Sequence, residues 1–404
     1  MIKNLRRSII SLAVASVCLI PLHAKDLKWE KKLLTIDSNE GCALGDVNGD
    51  GTLDIIAGRN WYCGKDLAPR PVRTIEDNKG YVDSNGDYLW DFNNDGHLDI
   101  FAHSFFDTKV YWYENPGPES LKLGKMWPKQ LLKDTGYTRN EGQILHDLDR
   151  DGKPEFIVSS WFQMNHLVFW RFSEEEREID VVVNKKKTIK KKMTVPSLSE
   201  TKVSHMKNGH GLGAGDLNGD GLDDILFQHG WFEQPKSNAF EQTWKHHSDW
   251  DRKASLPMII EDLNEDGRND IIWGMAHDYG LYWEEQLEPS ADGKLQWKKH
   301  TIDESFSQAH TLAWADLDGD GQKDLITGKR FYAHNGKDPG GNESPCLYYY
   351  TFDKKLKTFK KHIIDEENVG CGLHLATGDI DKNGFLDIAV AGKSGTFVLF
   401  NQGF

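Results

Sequence analysis

Residues 216–224 read DLNGDGLDD, and residues 225–228 continue as ILFQ. Asp216, Asn218, Asp220 and Asp224 stand at positions one, three, five and nine of a turn whose sixth residue is Gly221. Alternate carboxylates and amides in a tight loop supply the six to eight oxygens that a hard cation such as Ca²⁺ takes, and glycine accepts the positive φ of the sharp turn. An EF-hand opens in the same way but needs a bidentate Glu at position twelve, between two helices. Here the chain runs instead into apolar β-formers, so the loop joins two strands.

The pattern recurs six more times. Asp46, Asn48, Asp50 and Asp54 form the first copy, followed by Asp91, Asn93, Asp95 and Asp99. The third is Asp147, Asp149, Asp151 and Glu155; the fifth is Asp262, Asn264, Asp266 and Asp270. Asp316, Asp318, Asp320 and Asp324 make the sixth, and Asp379, Asp381, Asn383 and Asp387 the seventh. An acidic turn that only solvates a hairpin has no reason to hold one register through seven copies. The starts lie 45, 56, 69, 46, 54 and 63 residues apart, the period of a four-stranded propeller blade. Each loop therefore separates the first two strands of a blade, and calcium is expected to neutralise its crowded carboxylates.

Aromatic third strands follow, as in VYWYENPG (110–117), LVFWRF (167–172), LYWEEQ (281–286) and LYYYTF (347–352). Fourth strands repeat Trp/Phe-x-Lys, from Trp127, Trp244, Trp297 and Phe359. The same fourth-strand pattern opens the chain at Trp29, WEKKLLTID, whereas the last blade stops after its third strand, FVLFNQGF. The expected fold is thus all-β, a seven-bladed β-propeller whose final blade is completed by the N-terminal strand, which removes exposed sheet edges.

These loops resemble the FG-GAP/VCBS repeats of integrin-like propellers, which implies the same fold and bound calcium. The arrangement is also similar to the propeller domain of aldos-2-ulose dehydratase-type proteins and, loosely, to propeller-fold polysaccharide lyases. That likeness implies chemistry on carbohydrate, but no catalytic residue transfers position by position.

At the N-terminus, Lys3, Arg6 and Arg7 precede an apolar stretch from Ile9 to Ile20, and Ala24 offers a cleavage site. This predicts a signal peptide over 1–24, export to the periplasm or beyond, and a single propeller domain over 25–404. The stretch is too short to span a bilayer. The formal charge of −14 argues against nucleic acid and suits a chain that binds cations. Cys42 and Cys371, in blades made neighbours by closure, are candidates for a disulfide. The lysines near 185–192 read as a solvated charged hairpin.

Strand A runs toward each loop and strand B away from it, so residues before A and after B share the opposite mouth of the channel. Six residues before each loop stand Glu40, Asn85, Glu141, His210, Leu256, His310 and Leu373. After the second strands come Arg59, His103, His229, His277, Lys329, Arg330 and Lys393. Packing alone does not call for such residues. His210, His310 and Glu141, rimmed by His103, His277, Lys329 and Arg330, form the candidate catalytic set, with imidazole as general base and a cationic group beside the developing enolate. Glu141 with the two histidines is also a candidate site for a second divalent metal. Trp61, Trp161 and Trp231 are candidates to stack on sugar rings. The expected function is carbon–oxygen lyase or dehydratase action on a carbohydrate or sugar-derived molecule. A non-catalytic adhesion propeller and a purely structural calcium scaffold remain open beside it. No nucleophile elbow, phosphate loop or dinucleotide fingerprint is present.

Overall fold

The computed structural model describes residues 26–160, 166–184, 187–207 and 209–404. The expected signal segment, Trp161, Lys185 and Lys186 lie outside the described residues.

Every acidic loop is the hairpin turn between a blade's first two strands. Position nine opens the second strand, so Gly45 pairs with Asp54, Trp90 with Asp99 and Gly378 with Asp387. The glycine at position six is left-handed throughout, from φ 80° at Gly51 to φ 92° at Gly384, as the turn requires. Seven four-stranded antiparallel sheets result, arranged as a seven-bladed β-propeller. Blade one comprises Ala43–Gly45, Asp54–Ala57, Asn60–Tyr62 and Pro69–Pro71. Blade six comprises Ala309–Ala315, Asp324–Lys329, Leu347–Asp353 and Thr358–Asp365.

Closure follows the expected route. Trp29–Thr35 pairs antiparallel with Gly395–Asn401, with Trp29 opposite Asn401, and supplies the outer strand of blade seven. The first strands of blades seven and one then pack together, completing the ring.

Apolar residues of adjoining sheets interdigitate between blades. Phe101, Phe156 and Trp170 form one such core, and Ile272, Leu325 and Tyr350 another. Trp61 and Trp231 are 5% and 2% exposed within these cores, Trp231 lying flat on His247, so neither can stack on a sugar. The four described cysteines are buried and free. Cys42 Sγ donates instead to the Ala389 carbonyl at 3.2 Å, and no bridge to Cys371 forms.

A polar staple joins four pairs of blades. At the end of the third strand, the buried amides of Asn115, Gln234, Gln286 and Asn401 each donate to the carbonyl at position two of the preceding blade's loop. Their own main chain N–H donates to position nine of their blade's loop. The loops are thereby tied to the blade interfaces.

The third and fourth strands of blade three, His166–Asn184 and Lys187–Lys207, extend far beyond the others. Glu178 pairs with Lys192 and Asp180 with Lys190, giving the charged hairpin that the composition suggested. No helix among the described residues is long and apolar enough to cross a membrane.

Candidate functional site

The residues placed before the first strands do meet at one mouth of the ring. Glu141 stands where Asn140–His146 begins, His210 just before Leu212–Gly215, and His310 within Ala309–Ala315. His277 follows Asp270–Gly274 of blade five. These four side chains bring their ligand atoms within 4.8 Å of one another.

The ring nitrogens are oriented by their neighbours. His210 Nδ1 lies 2.7 Å from the Ala254 carbonyl, to which it donates its N–H. His210 Nε2 faces His310 Nε2 at 3.1 Å. His277 Nδ1 lies 3.0 Å from Asp338 Oδ2, the carboxylate support common to metal-binding imidazoles. Burial depresses the affinity of two of the rings for a proton, His277 to about 4 and His310 well below its ordinary value, where the Arg330 charge adds to the effect. Neutral imidazoles with a carboxylate make a donor set suited to a divalent transition metal, and the four groups could hold one.

Arg330, fully buried at the channel floor, binds Glu40 through two bonds of 2.8 Å and Glu141 Oε1 at 2.7 Å. Burial would raise the Glu141 carboxyl, but contacts from His210 and His310 and the charge of Arg330 hold it well below the usual range.

The other sequence candidates are used differently. His103 lies outside the cluster, its Nε2 3.0 Å from Asn140 Nδ2, and burial lowers it to about 3. Lys329 Nζ turns away to Ser307, the Gly340 carbonyl and Glu343. His229 pairs with Asp251, and Asn85 donates to the Asn140 carbonyl. Leu256 packs in the core cluster with Leu148, Leu212 and Phe227, and Leu373 is buried.

Two insertions supply residues that the loop offsets did not reveal. A hairpin, Asp77–Asn78 with Tyr81–Val82, precedes blade two, and the segment 331–345 follows the second strand of blade six. They meet across the mouth: the His334 N–H donates to Tyr81 Oη at 2.8 Å and Asn335 Nδ2 to the Lys79 carbonyl at 3.3 Å. His334 stacks on His277 with ring centres 4.7 Å apart, and its Nδ1 lies 3.0 Å from Asp338 Oδ1. Asp338 thus holds two imidazoles by their Nδ1 atoms. A dense His-Asn-Gly-Lys-Asp stretch at 334–338 was the available signal for this loop.

A cavity of about 160 Å³ opens here, lined by Glu40, Tyr81, Phe105, Glu141, Arg330 and His334 among others. A second, of about 460 Å³, shares Phe105, Phe106, Glu141 and His334 with it and opens toward Lys79 and Arg139. Glu141 therefore borders both cavities and the imidazole cluster.

In the seven loops, each position-nine carboxylate accepts the main chain N–H of position two, as Asp270 does from Leu263. Burial pushes these carboxyls up, Asp54 and Asp387 to about 6 and Asp99, Glu155, Asp224, Asp270 and Asp324 to about 7. Three loops gather acidic ligand atoms within 4.8 Å: Asp147, Asp149 and Glu155; Asp316, Asp318 and Asp320; and Asp379, Asp381 and Asp387.

A family model described as FG-GAP-like repeat matches residues 91–158 and 262–327. The chain carries FG-GAP-like repeats. Integrin alpha pat-2 of Caenorhabditis briggsae and that of Caenorhabditis elegans are each 28% identical over 233 residues, 47% of this chain. The matched region is only 18% of either relative's length. Among solved structures, BBS1N in complex with ARL6DN, soaked with lead, aligns over 91% of this chain and 97% of its own at 10% identity and TM-score 0.47. The V. cholerae biofilm matrix protein Bap1 aligns over 91% and 69% at 12% identity and TM-score 0.28.

Proposed function

We propose that this protein is an exported, calcium-stabilised propeller acting as a carbon–oxygen lyase on a sugar-derived ligand at the axial mouth. The supporting observation is that one cavity is lined at once by His334, Tyr81, Arg330 and Glu141, a base, an acid and a cationic floor. In elimination, His334 Nε2 accepts the proton from the carbon next to a carbonyl or carboxylate, its tautomer fixed by Asp338 at Nδ1. Burial raises the Tyr81 hydroxyl, so it stays protonated and can donate to the leaving oxygen as the C–O bond breaks. Arg330 places positive charge beside the enolate oxygen. A divalent metal held by Glu141, His210, His277 and His310 would add Lewis-acid polarisation of that oxygen. Ca²⁺ belongs to the seven acidic loops, where it would replace protons on the buried carboxylates.

Turnover of a panel of sugar acids and ketosugars, followed by ultraviolet absorbance of the unsaturated product, tests the reading. His334→Ala should lose at least about 10²-fold in rate with an unchanged melting temperature. Unchanged turnover in that variant would remove His334 as the base. A non-catalytic, adhesion-type binding propeller is the second reading, favoured by the FG-GAP-like repeats and the integrin alpha similarity. It predicts ligand binding with no product from any member of the panel.

A further inference from the structure

Lys393 follows Asp387–Gly392, the second strand of blade seven, and reaches the line where the two insertions meet. Its Nζ donates to the Tyr332 carbonyl at 3.2 Å and to Asn335 Oδ1 at 3.0 Å. The same nitrogen stands 3.5 Å from the centre of the Tyr81 ring, whose face attracts a cation. One side chain from blade seven thus touches the segment 331–345 on both sides of His334 and the hairpin at Tyr81. The loop offsets placed Lys393 at this mouth, yet it belongs neither to the imidazole cluster nor to the lining of the two cavities.

The segments it touches have backbone that does not hold itself. Lys79 has φ 53° and Tyr332 φ 54°, and neither is a glycine or a short polar residue that adopts the left-handed region readily. His334 and Asn335 continue at φ 47° and 57°. Contacts from outside must keep such a run in place. The bonds from the His334 N–H to Tyr81 Oη and from Asn335 Nδ2 to the Lys79 carbonyl join the two insertions to each other. Lys393 ties that junction to a propeller blade.

We infer that Lys393 is a positioning residue, a clamp that holds Tyr81 and His334 at a fixed separation across the cavity that both of them line. This rests on the reading of Tyr81 as the acid and His334 as the base. Lys393 takes no proton in the elimination; it acts through the ring that it covers and the backbone that it ties. Tyr81 Oη accepts the His334 N–H, so its own hydrogen stays available for the leaving oxygen. The charged groups that reach the amine are Glu40 and Arg330, already paired with each other, and Tyr81 stays a neutral phenol, raised by burial. Half-burial is the larger influence and lowers Lys393 to about 8, with Arg330 acting in the same sense and Glu40 opposing. An amine lowered by closure favours closure as pH rises, and its neutral form still donates both hydrogen bonds.

Amide hydrogen exchange of the full chain, read over residues 331–338 with calcium present, tests the clamp without any ligand. Lys393→Met should lower protection there at least about fivefold, the equivalent of one net hydrogen bond, while Gly230–Glu233 in blade four keeps its protection. The parent's protection, corrected for intrinsic exchange, should rise from about pH 7 to about pH 9, and that variant should show no rise. Lys393→Arg should restore protection without the pH dependence, because a guanidinium does not titrate in that range. Unchanged protection in Lys393→Met, equal loss in blade four, or a parent whose protection falls with pH overturns the clamp. Turnover of the sugar panel separates this from the lyase reading. Product with no exchange effect overturns the clamp alone; the exchange effect with no product retains the clamp and removes the lyase reading.

Discussion

Replacing Arg330 by Met removes the one guanidinium that ties Glu40 to Glu141, leaving two carboxylates 4% and 5% exposed at the channel floor. Removing one partner of a buried ion pair costs about 3–5 kcal/mol, chiefly because the remaining charge is left uncompensated. Unfolding entropy of about 2.1 cal/mol/K per residue gives about 0.8 kcal/mol/K for this length, so the melting temperature should fall by about 4–6 °C. Calorimetry in EDTA at pH 7 measures this without a bound cation standing in for the arginine. The sign with pH is fixed by Glu141, whose carboxyl lies well below its ordinary value in the native protein. A depressed carboxyl contributes stability above its unfolded pKa and loses it as pH falls through the folded value. The variant lacks part of that depression, so its deficit should be full at pH 7 and shrink only as pH falls below the ordinary carboxyl range. A variant that melts like the parent at pH 7, or whose deficit grows in acid, would refute the reasoning.

Two further outcomes follow from the loops. Chelation with EGTA should lower the melting temperature by many degrees, and Asp270→Ala alone should cost less than chelation; an unchanged melt in EGTA would show ordinary acidic turns. In the chelated protein the buried position-nine carboxyls are pushed up to about 6–7, so stability should fall as pH rises from 5 to 8, the reverse of a salt-bridged carboxylate, and added Ca²⁺ should abolish that slope. Gln286→Leu removes the amide that serves the Leu217 and Asn269 carbonyls and should cost about 1–3 kcal/mol by leaving them unsatisfied; a neutral effect in thermal melts would remove the inter-blade staple as a stabilising device.

The blade number, the hairpin at each acidic loop and the closure by Trp29–Thr35 were legible in the sequence because each is a local rule repeated in register. Position nine must open a strand for its carboxylate to reach the position-two N–H, so the same nine residues announce both loop and strand. The strand Trp29–Thr35 copies a fourth-strand pattern found beside Trp127 and Trp297, and its missing partner lay at the other end of the chain. Offsets from the loops also singled out Glu141, His210 and His310, because equivalent positions of a ring face one axis. The same offsets could not distinguish Arg330 from Lys329, or His277 from His103. Adjacent residues of a strand point to opposite faces, and a shift of one residue sends the side chain either to the channel or into a blade interface. The pairing of His334 with Asp338, the meeting of 331–345 with Tyr81, and the Lys393 clamp were fixed only in three dimensions. Insertions obey no repeat, and segments some 250 residues apart, such as Tyr81 and His334, come together only once the ring has closed.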